Sequence, residues 1–147
     1  MATTRAQIGL GTQFFIGSGS PVVYAVSMTE AVTITFADYT VAEVDVTHLL
    51  SPNSTEEVIS GLRKPGTVDV EGNFIGDTVQ QSINDLALAR TVFPWQITAP
   101  LSGARVLTIT GIGFITKRET GPFTPGGKIN FKFSVKVAGT ITYAVTP

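Results

Sequence analysis

The chain has 147 residues with no cysteine and a single histidine, His48, which excludes disulfide staples, thiolate metal sites, cysteine nucleophiles and any centre built from several imidazoles. Ten basic against eleven acidic residues give a net charge of -1, without the basic excess that marks a nucleic-acid binder. Charged residues make up 14% of the chain and apolar residues 43%, where about 25% charged is usual, so much of the exterior is expected to be covered by copies of the chain or by partners. The length fits one domain. No apolar stretch approaches the ~18 residues of a spanning helix, and Met1 to Arg5 is not followed by a signal-type apolar core. The expectation is a chain made and kept in the cytosol, with no membrane partner.

In chain order, residues 1 to 21 hold Gly9, Gly11, Gly17, Gly19 and Pro21 among a few large apolar groups and predict an extended N-terminal arm. Phe14, Phe15 and Ile16 would be an exposed sticky patch in a mobile tail, so the arm is expected to dock on something. From Val22 the period becomes two: Val22, Tyr24, Val26 and Met28, then Val32, Ile34 and Phe36, share one parity. Residues 41 to 47 and 67 to 74 repeat it, with Ala42, Val44 and Val46, then Val68, Val70 and Phe74, predicted inward. Glu43, Asp45, Asp69 and Glu71 fall on the outward parities.

Between those strands lies a long insertion, 48 to 66, far beyond the needs of a hairpin. Ser54 and Glu57 have capping-box spacing, which predicts a short helical turn carrying Val58 and Ile59 and ending at Gly61. Leu49, Leu50, Val58, Ile59 and Leu62 are then apolar groups on a protruding loop that either folds back on the core or inserts into a neighbour. One helix is clear over 77 to 90, with Asp77 as cap, Gln80 at the third position, Val79, Ile83, Leu86, Ala87 and Arg90 at helical spacing, and Arg90 suiting the negative end of the dipole. Phe93, Trp95 and Ile97 share a strand face, with Pro94 marking an edge position. Val106 to Lys117 is a long β-branched run in which Gly111 and Gly113 mark expected bulges. Last comes a clean alternation, Ile129, Phe131, Phe133, Val135, Val137, Ile141, Tyr143 and Val145, interrupted only at Gly139.

Chemistry is scarce. Gly121 to Lys128 has Pro122 and Ile129 where a phosphate loop needs glycine and a hydroxyl residue, and a strand follows it, so it reads as a hairpin loop. The carboxylates Glu43, Asp45, Asp69 and Glu71 alternate along two strands as an outer stripe. That pattern fits a solvated face, paired with Lys128, Lys132 and Lys136, or a functional negative surface. It lacks the cleft that would make two carboxyl environments differ. His48 has no partner in recognisable spacing and reads as a loop hydrogen-bonder. No catalytic residue, cofactor site or metal site is predicted.

The order of pieces carries a resemblance. Val44-Asp45-Val46-Thr47-His48-Leu49, the long loop, Ile59-Ser60-Gly61-Leu62, then Gly66-Thr67-Val68-Asp69-Val70-Glu71-Gly72-Asn73-Phe74, a single helix and a closing Val135-Lys136-Val137-Ala138-Gly139-Thr140-Ile141 together resemble the major tail (tail tube) proteins of long-tailed, non-contractile bacteriophages. The resemblance implies a mainly β subunit, an antiparallel β-sandwich or barrel with one flanking helix. Such subunits form six-membered rings that stack into a hollow tube through which genomic DNA is ejected. The arm and the 48 to 66 loop match the elements that reach adjacent subunits and rings, which makes Phe14, Phe15, Ile16, Leu49, Leu50, Val58, Ile59 and Leu62 candidate contact residues. A DNA conduit is best lined by neutral or acidic groups, because each phosphate neutralised by Lys or Arg raises affinity. Glu43, Asp45, Asp69 and Glu71 are the candidate lumen lining.

The implied partners are the chain itself, a tape-measure protein, tail terminator and tail tip proteins, and double-stranded DNA passing without specific binding. The implied place is the virion tail, assembled in the host cytoplasm. Two alternatives stand beside this reading. One is a type VI secretion-like tube, which has a similar fold. The other is a soluble β-sandwich binding module, which would need an exposed aromatic platform, whereas Trp95 shares its parity with Phe93 and Ile97.

Overall fold

The computed structural model describes residues 9–28, 30–37 and 39–146. It contains ten strands and one α-helix: β1 Gln13–Ser18, β2 Val23–Ser27, β3 Ala31–Ala37, β4 Thr40–Asp45, β5 Val58–Lys64, β6 Thr67–Asn73, α1 Thr78–Ala89, β7 Phe93–Pro100, β8 Val106–Thr120, β9 Asn130–Val137 and β10 Thr142–Thr146. Eight strands form one sheet in the order β2-β1-β7-β8-β9-β6-β3, with β10 also on β8, and β4 and β5 pair only with each other. Every pairing is antiparallel. The expected class, mainly β with one flanking helix, is the observed one.

Alternation explains the core. Val68 and Val70, Phe93, Trp95 and Ile97, and Phe131, Phe133, Val135 and Val137 are buried, because successive side chains of a strand point to opposite faces and the apolar set takes the inner one. The sheet curls on itself: Phe14 of β1 meets Phe133 of β9 edge-on at 5.6 Å, and Phe36 of β3 meets Trp95 of β7 at 5.9 Å. None of these strands are sheet neighbours, so the rings touch across the interior, giving the sandwich-like interior expected.

The β8 strand is the spine. Its first half lies between β7 and β10 and its second half pairs with β9, so β9 and β10 run end to end along it, interrupted at Gly139. The only irregularity between β8 and β9 falls between Ile115 and Lys117, not at the glycines expected to bulge. Gly111 instead makes room: a Cβ there would stand 2.9 Å from the Trp95 ring. Pro94 is on an interior strand rather than at an edge. It sits just beyond the last β1 rung, Ile16 opposite Trp95, where no donor is called for.

The helix is as the sequence predicts at its start. Asp77 Oδ1 accepts from the Gln80 N–H at 3.0 Å, satisfying one of the first-turn donors. Arg90 is the left-handed C-cap, φ 56°, one residue beyond the helix rather than in its last turn. Ile83 is buried and Val79, Leu86 and Ala87 pack against the core, which lays the helix on β8. The Gln80 side chain ties the β6–α1 connection, accepting from the Ile75 and Gly76 N–H groups and donating to the Asn73 carbonyl, with distances of 2.9–3.0 Å.

Further expectations are corrected. Residues 13–18 of the expected arm form an interior strand between β2 and β7. Phe14 and Ile16 are therefore buried in the core of their own subunit, and the part of the arm before Gly9 lies outside the described residues. The turn predicted around Val58 and Ile59 is strand β5, consistent with their β-branched side chains. A one-turn 3-10 segment, Pro52–Ser54, precedes it, and the Ser54 side chain of the expected capping box lies outside the described part. Ala42, Val44 and Val46 do not point inward, because β4 leaves the main sheet. Val32 is exposed while its neighbour Ala31 packs on the core, because a bulge between Ala31 and Thr33 shifts the register, and Phe74 lies half-exposed at the sheet end.

Candidate assembly surface

Two surfaces stand out. The first is the β4–β5 hairpin. Its rungs run from Thr40 opposite Lys64 to Asp45 opposite Val58, and one more bond, Val46 N–H to the Glu57 carbonyl at 2.9 Å, carries the pairing to the tip. Val41, Val44, Val46, Val58, Ile59 and Leu62 are all exposed, and Leu49 and Leu50 at the tip are almost wholly so. An isolated two-stranded hairpin is marginally stable in water, since it lacks a third strand or a packed face.

The tip is nevertheless ordered by polar contacts. Thr47 Oγ1 accepts from the Glu57 N–H at 2.8 Å, and Asp45 accepts from the Thr47 N–H at 2.9 Å. The Thr47 hydroxyl and then its N–H hold the Asp45 carboxyl below its ordinary value of 3.8, because both stabilise the charged form. Glu57 Oε2 accepts from the Ser51 hydroxyl at 2.5 Å and lies 3.4 Å from His48 Nε2. His48 Nδ1 accepts from the Leu50 N–H at 3.1 Å. The serine proton is thus directed to a carboxylate and not to the imidazole, the reverse of a nucleophile and base pair. His48 is a loop hydrogen-bonder, as its isolation in the sequence implied. Its bonds fix the turn that holds Leu49 and Leu50 outward.

The second surface is the outer face of β3, β6, β9 and the end of β8. Registers place Thr33, Glu71, Lys132 and Glu119 in one cross-strand row, and Thr35, Asp69, Ser134 and Lys117 in the next. Glu71 lies 3.7 Å from Lys132, Lys117 lies 3.8 Å from Glu119, and the Ser134 hydroxyl donates to Asp69 at 2.5 Å. Lys136 turns its amine to the Pro65 carbonyl at 2.7 Å. Of the three lysines expected beside the acids, Lys132 meets Glu71 and Lys136 is bound to a carbonyl, whereas Lys128 lies exposed in the β8–β9 loop, away from that row.

The candidate residues fall apart into groups. Asp69 and Glu71 share the sheet face, whereas Glu43 and Asp45 belong to the hairpin, so the four acids form no single stripe. Leu49, Leu50, Val58, Ile59 and Leu62 come together on the hairpin. Phe14 and Ile16 do not join them, and Phe15 is half-buried in β1. Sequence reasoning missed the row Ile141, Tyr143 and Val145 as a surface. Tyr143 and Val145 stand opposite Ile109 and Leu107 on the core face of the sheet, yet Tyr143 is 64% exposed and Val145 47%. Their alternation marked them as inward, and among the described residues nothing covers them. Among the described residues, no cluster of His, Asp and Glu is disposed to hold a metal ion, and no helix is long and apolar enough to cross a membrane.

No protein-family model and no curated protein sequence matches the chain. Solved structures do. A chain from the virion of the native gene transfer agent particle superposes with a TM-score of 0.67 and 16% identity, over 89% of this chain and 95% of its own. The SPP1 tail tube gives 0.61 and 16%, over 92% of this chain and 77% of that one. The anti-feeding prophage cap, a tube-terminating cap, gives 0.71 at 8% identity, over 99% and 95%. At such identities the likeness is one of fold: the chain has the fold of tail tube proteins, along nearly its whole length.

Proposed function

We propose that this chain is a structural subunit of a virion tail tube. Copies join side by side into a ring, rings stack, and the bore passes double-stranded DNA without binding it specifically. The observation that carries this reading is a fold shared with tail and tube assemblies in a subunit whose hairpin exposes its whole apolar complement. A heterologous contact closes into a ring when its rotation divides the circle, and repeated stacking extends the ring into a tube. The tail of the empty gene transfer agent particle, another structural neighbour, has C6 symmetry, and a ring of six is proposed here by that likeness. Tape-measure, terminator and tip proteins are the partners such a tube implies, and the virion tail, assembled in the host cytoplasm, is its place.

In this reading the outer face of β3, β6, β9 and β8 lines the bore, with Asp69 and Glu71 as its acids. Lys132 and Lys117 sit against Glu71 and Glu119, so a passing polyanion meets few uncompensated cations. Glu43 and Asp45, on the hairpin, line the bore only if the hairpin does. A binding module is disfavoured because Trp95 is fully buried. The likeness to the anti-feeding prophage cap, a tube-terminating cap, favours a second reading, a type VI secretion-like tube, and a neighbouring gene for a very long helical tape-measure protein would speak for the phage tube instead.

Negative-stain microscopy of the purified protein at high concentration tests the reading. Rings or tubes with an open centre are the expected result. A monodisperse single subunit at millimolar loading in the ultracentrifuge would refute it.

A further inference from the structure

The hairpin is electrically polar along its length. No Lys or Arg occurs between Arg5 and Arg63, so the tip carries Asp45, Glu56 and Glu57 with no Lys or Arg among them, Glu57 lying against His48 and Ser51, while Arg63 and Lys64 stand at the root beside Thr40 and Val41. At that root a groove of about 320 Å³ runs between Tyr39, Arg63 and Pro65 on one side and Gly139, Thr140 and Ile141 on the other. Arg63 lies over the Tyr39 ring at 4.7 Å, presenting a cation held against an aromatic wall. From Ile141 the same strand face continues to Tyr143 and Val145, the core-side row that the described residues leave exposed. No residue from Val137 to Val145 is charged, so this wall is neutral.

We propose that the groove at the hairpin root, with the open face of β10, is the acceptor for the hairpin tip of a second copy. Leu49 and Leu50 would cover Tyr143 and Val145, and the acidic shoulder of the tip would meet Arg63 and Lys64. The chemistry matches on both counts: neutral apolar knobs on a neutral apolar row, and carboxylates on cations. A tip cannot reach its own root, because β5 at ~3.3 Å per residue separates them by roughly 20 Å. The donor must be another copy, and one head-to-tail contact, repeated, either closes a ring or extends the stack. This inference rests on the tube reading and adds to it the acceptor and the charge logic that sets the register.

The absence of cysteine gives a clean background for cross-linking. Leu50→Cys and Tyr143→Cys, both at exposed positions, are combined in one chain, with Leu49→Cys and Val145→Cys as a second pair. Mild oxidation of assembled protein is expected to give a ladder of covalent multimers with at least one pair, since a disulfide requires Cα atoms within about 7 Å. Each single-cysteine variant should give no species larger than a dimer. Lys64→Glu should cut the cross-linked fraction at least tenfold, and adding Glu56→Lys should restore it. Circular dichroism and melting temperature verify that every variant folds. Tubes in which neither pair cross-links, or whose ladder ignores the charge reversal, would overturn the acceptor while leaving the tube standing. Failure of the unmodified chain to assemble at any loading would remove both.

Discussion

Strands β9 and β5 have similar apolar content and opposite fates. In β9 the apolar parity, Phe131, Phe133, Val135 and Val137, is sealed within its own subunit, because β1, β6 and β8 surround it. In β5, Val58, Ile59 and Leu62 have a single partner strand and no facing layer. Apolar alternation therefore specifies that a face wants cover, and the topology alone decides whether the cover comes from the same chain. A molecule with 14% charged residues and an uncovered hairpin has left part of its burial to association.

Ile59→Asp breaks this contrast most sharply. Ile59 is exposed in the single subunit, so the folded monomer should keep its melting temperature within the range of ordinary surface changes, about ±0.5 kcal/mol. Burying an unpaired carboxylate in a subunit contact is prohibitive, so tubes should vanish under the microscope while the monomer stays folded. Unchanged polymerisation would place the hairpin outside the contacts.

Phe133→Ala works on the other side of the comparison. Phe133 is buried and its ring meets both Phe14 and Phe131, and truncation of such a ring costs about 3–5 kcal/mol. Urea unfolding of the monomer should show the whole loss. A loss below about 1 kcal/mol would mean that the interior collapses around the gap and is looser than its packing indicates.

These two positions also mark what the sequence disclosed. The inner residues of β6, β7 and β9 and the helix with its Asp77 cap were readable, because period and capping are local signals that act within one element. The hairpin was not, because β4 and β6 carry the same alternation and nothing local says that one leaves the sheet. The β1 strand was hidden by glycines that read as an arm, although Phe14 and Ile16 already showed the two-residue spacing of a buried face. For the assembly surface, the apolar loop residues were legible as a set, whereas the open row at Tyr143 was not. Exposure there depends on what the rest of the chain lays over β10, and not on the alternation of β10 itself. The four acids looked like one stripe only while β4 was placed beside β6.

Gln80→Ala probes a smaller element, the tether between β6 and α1. The side chain is buried and bonds three backbone groups, at Asn73, Ile75 and Gly76. Their loss should cost about 1–3 kcal/mol, the penalty for leaving buried polar groups unpaired. Hydrogen exchange at the Ile75 and Gly76 amides should rise more than at the β9 amides, which locates the damage in the connection and not in the sheet.

The smallest effect belongs to the hairpin tip. Thr47 lowers the pKa of Asp45 below 3.8, first through its hydroxyl and then through its N–H. A carboxyl depressed in the folded state contributes stability that is fully present above its unfolded pKa and is lost as pH falls through the folded value. Asp45 is fully solvated, so the loss should appear as local fraying at the turn and not as global unfolding. An NMR titration of the Thr47 amide in the monomer should show a midpoint below 3.8 that disappears in Asp45→Asn, while the β9 amides stay unchanged through the same range. A Thr47 midpoint at the ordinary carboxylate value would show that the turn is held by strand pairing alone. The hairpin would then differ from β9 only in lacking cover, and not in how its end is fastened.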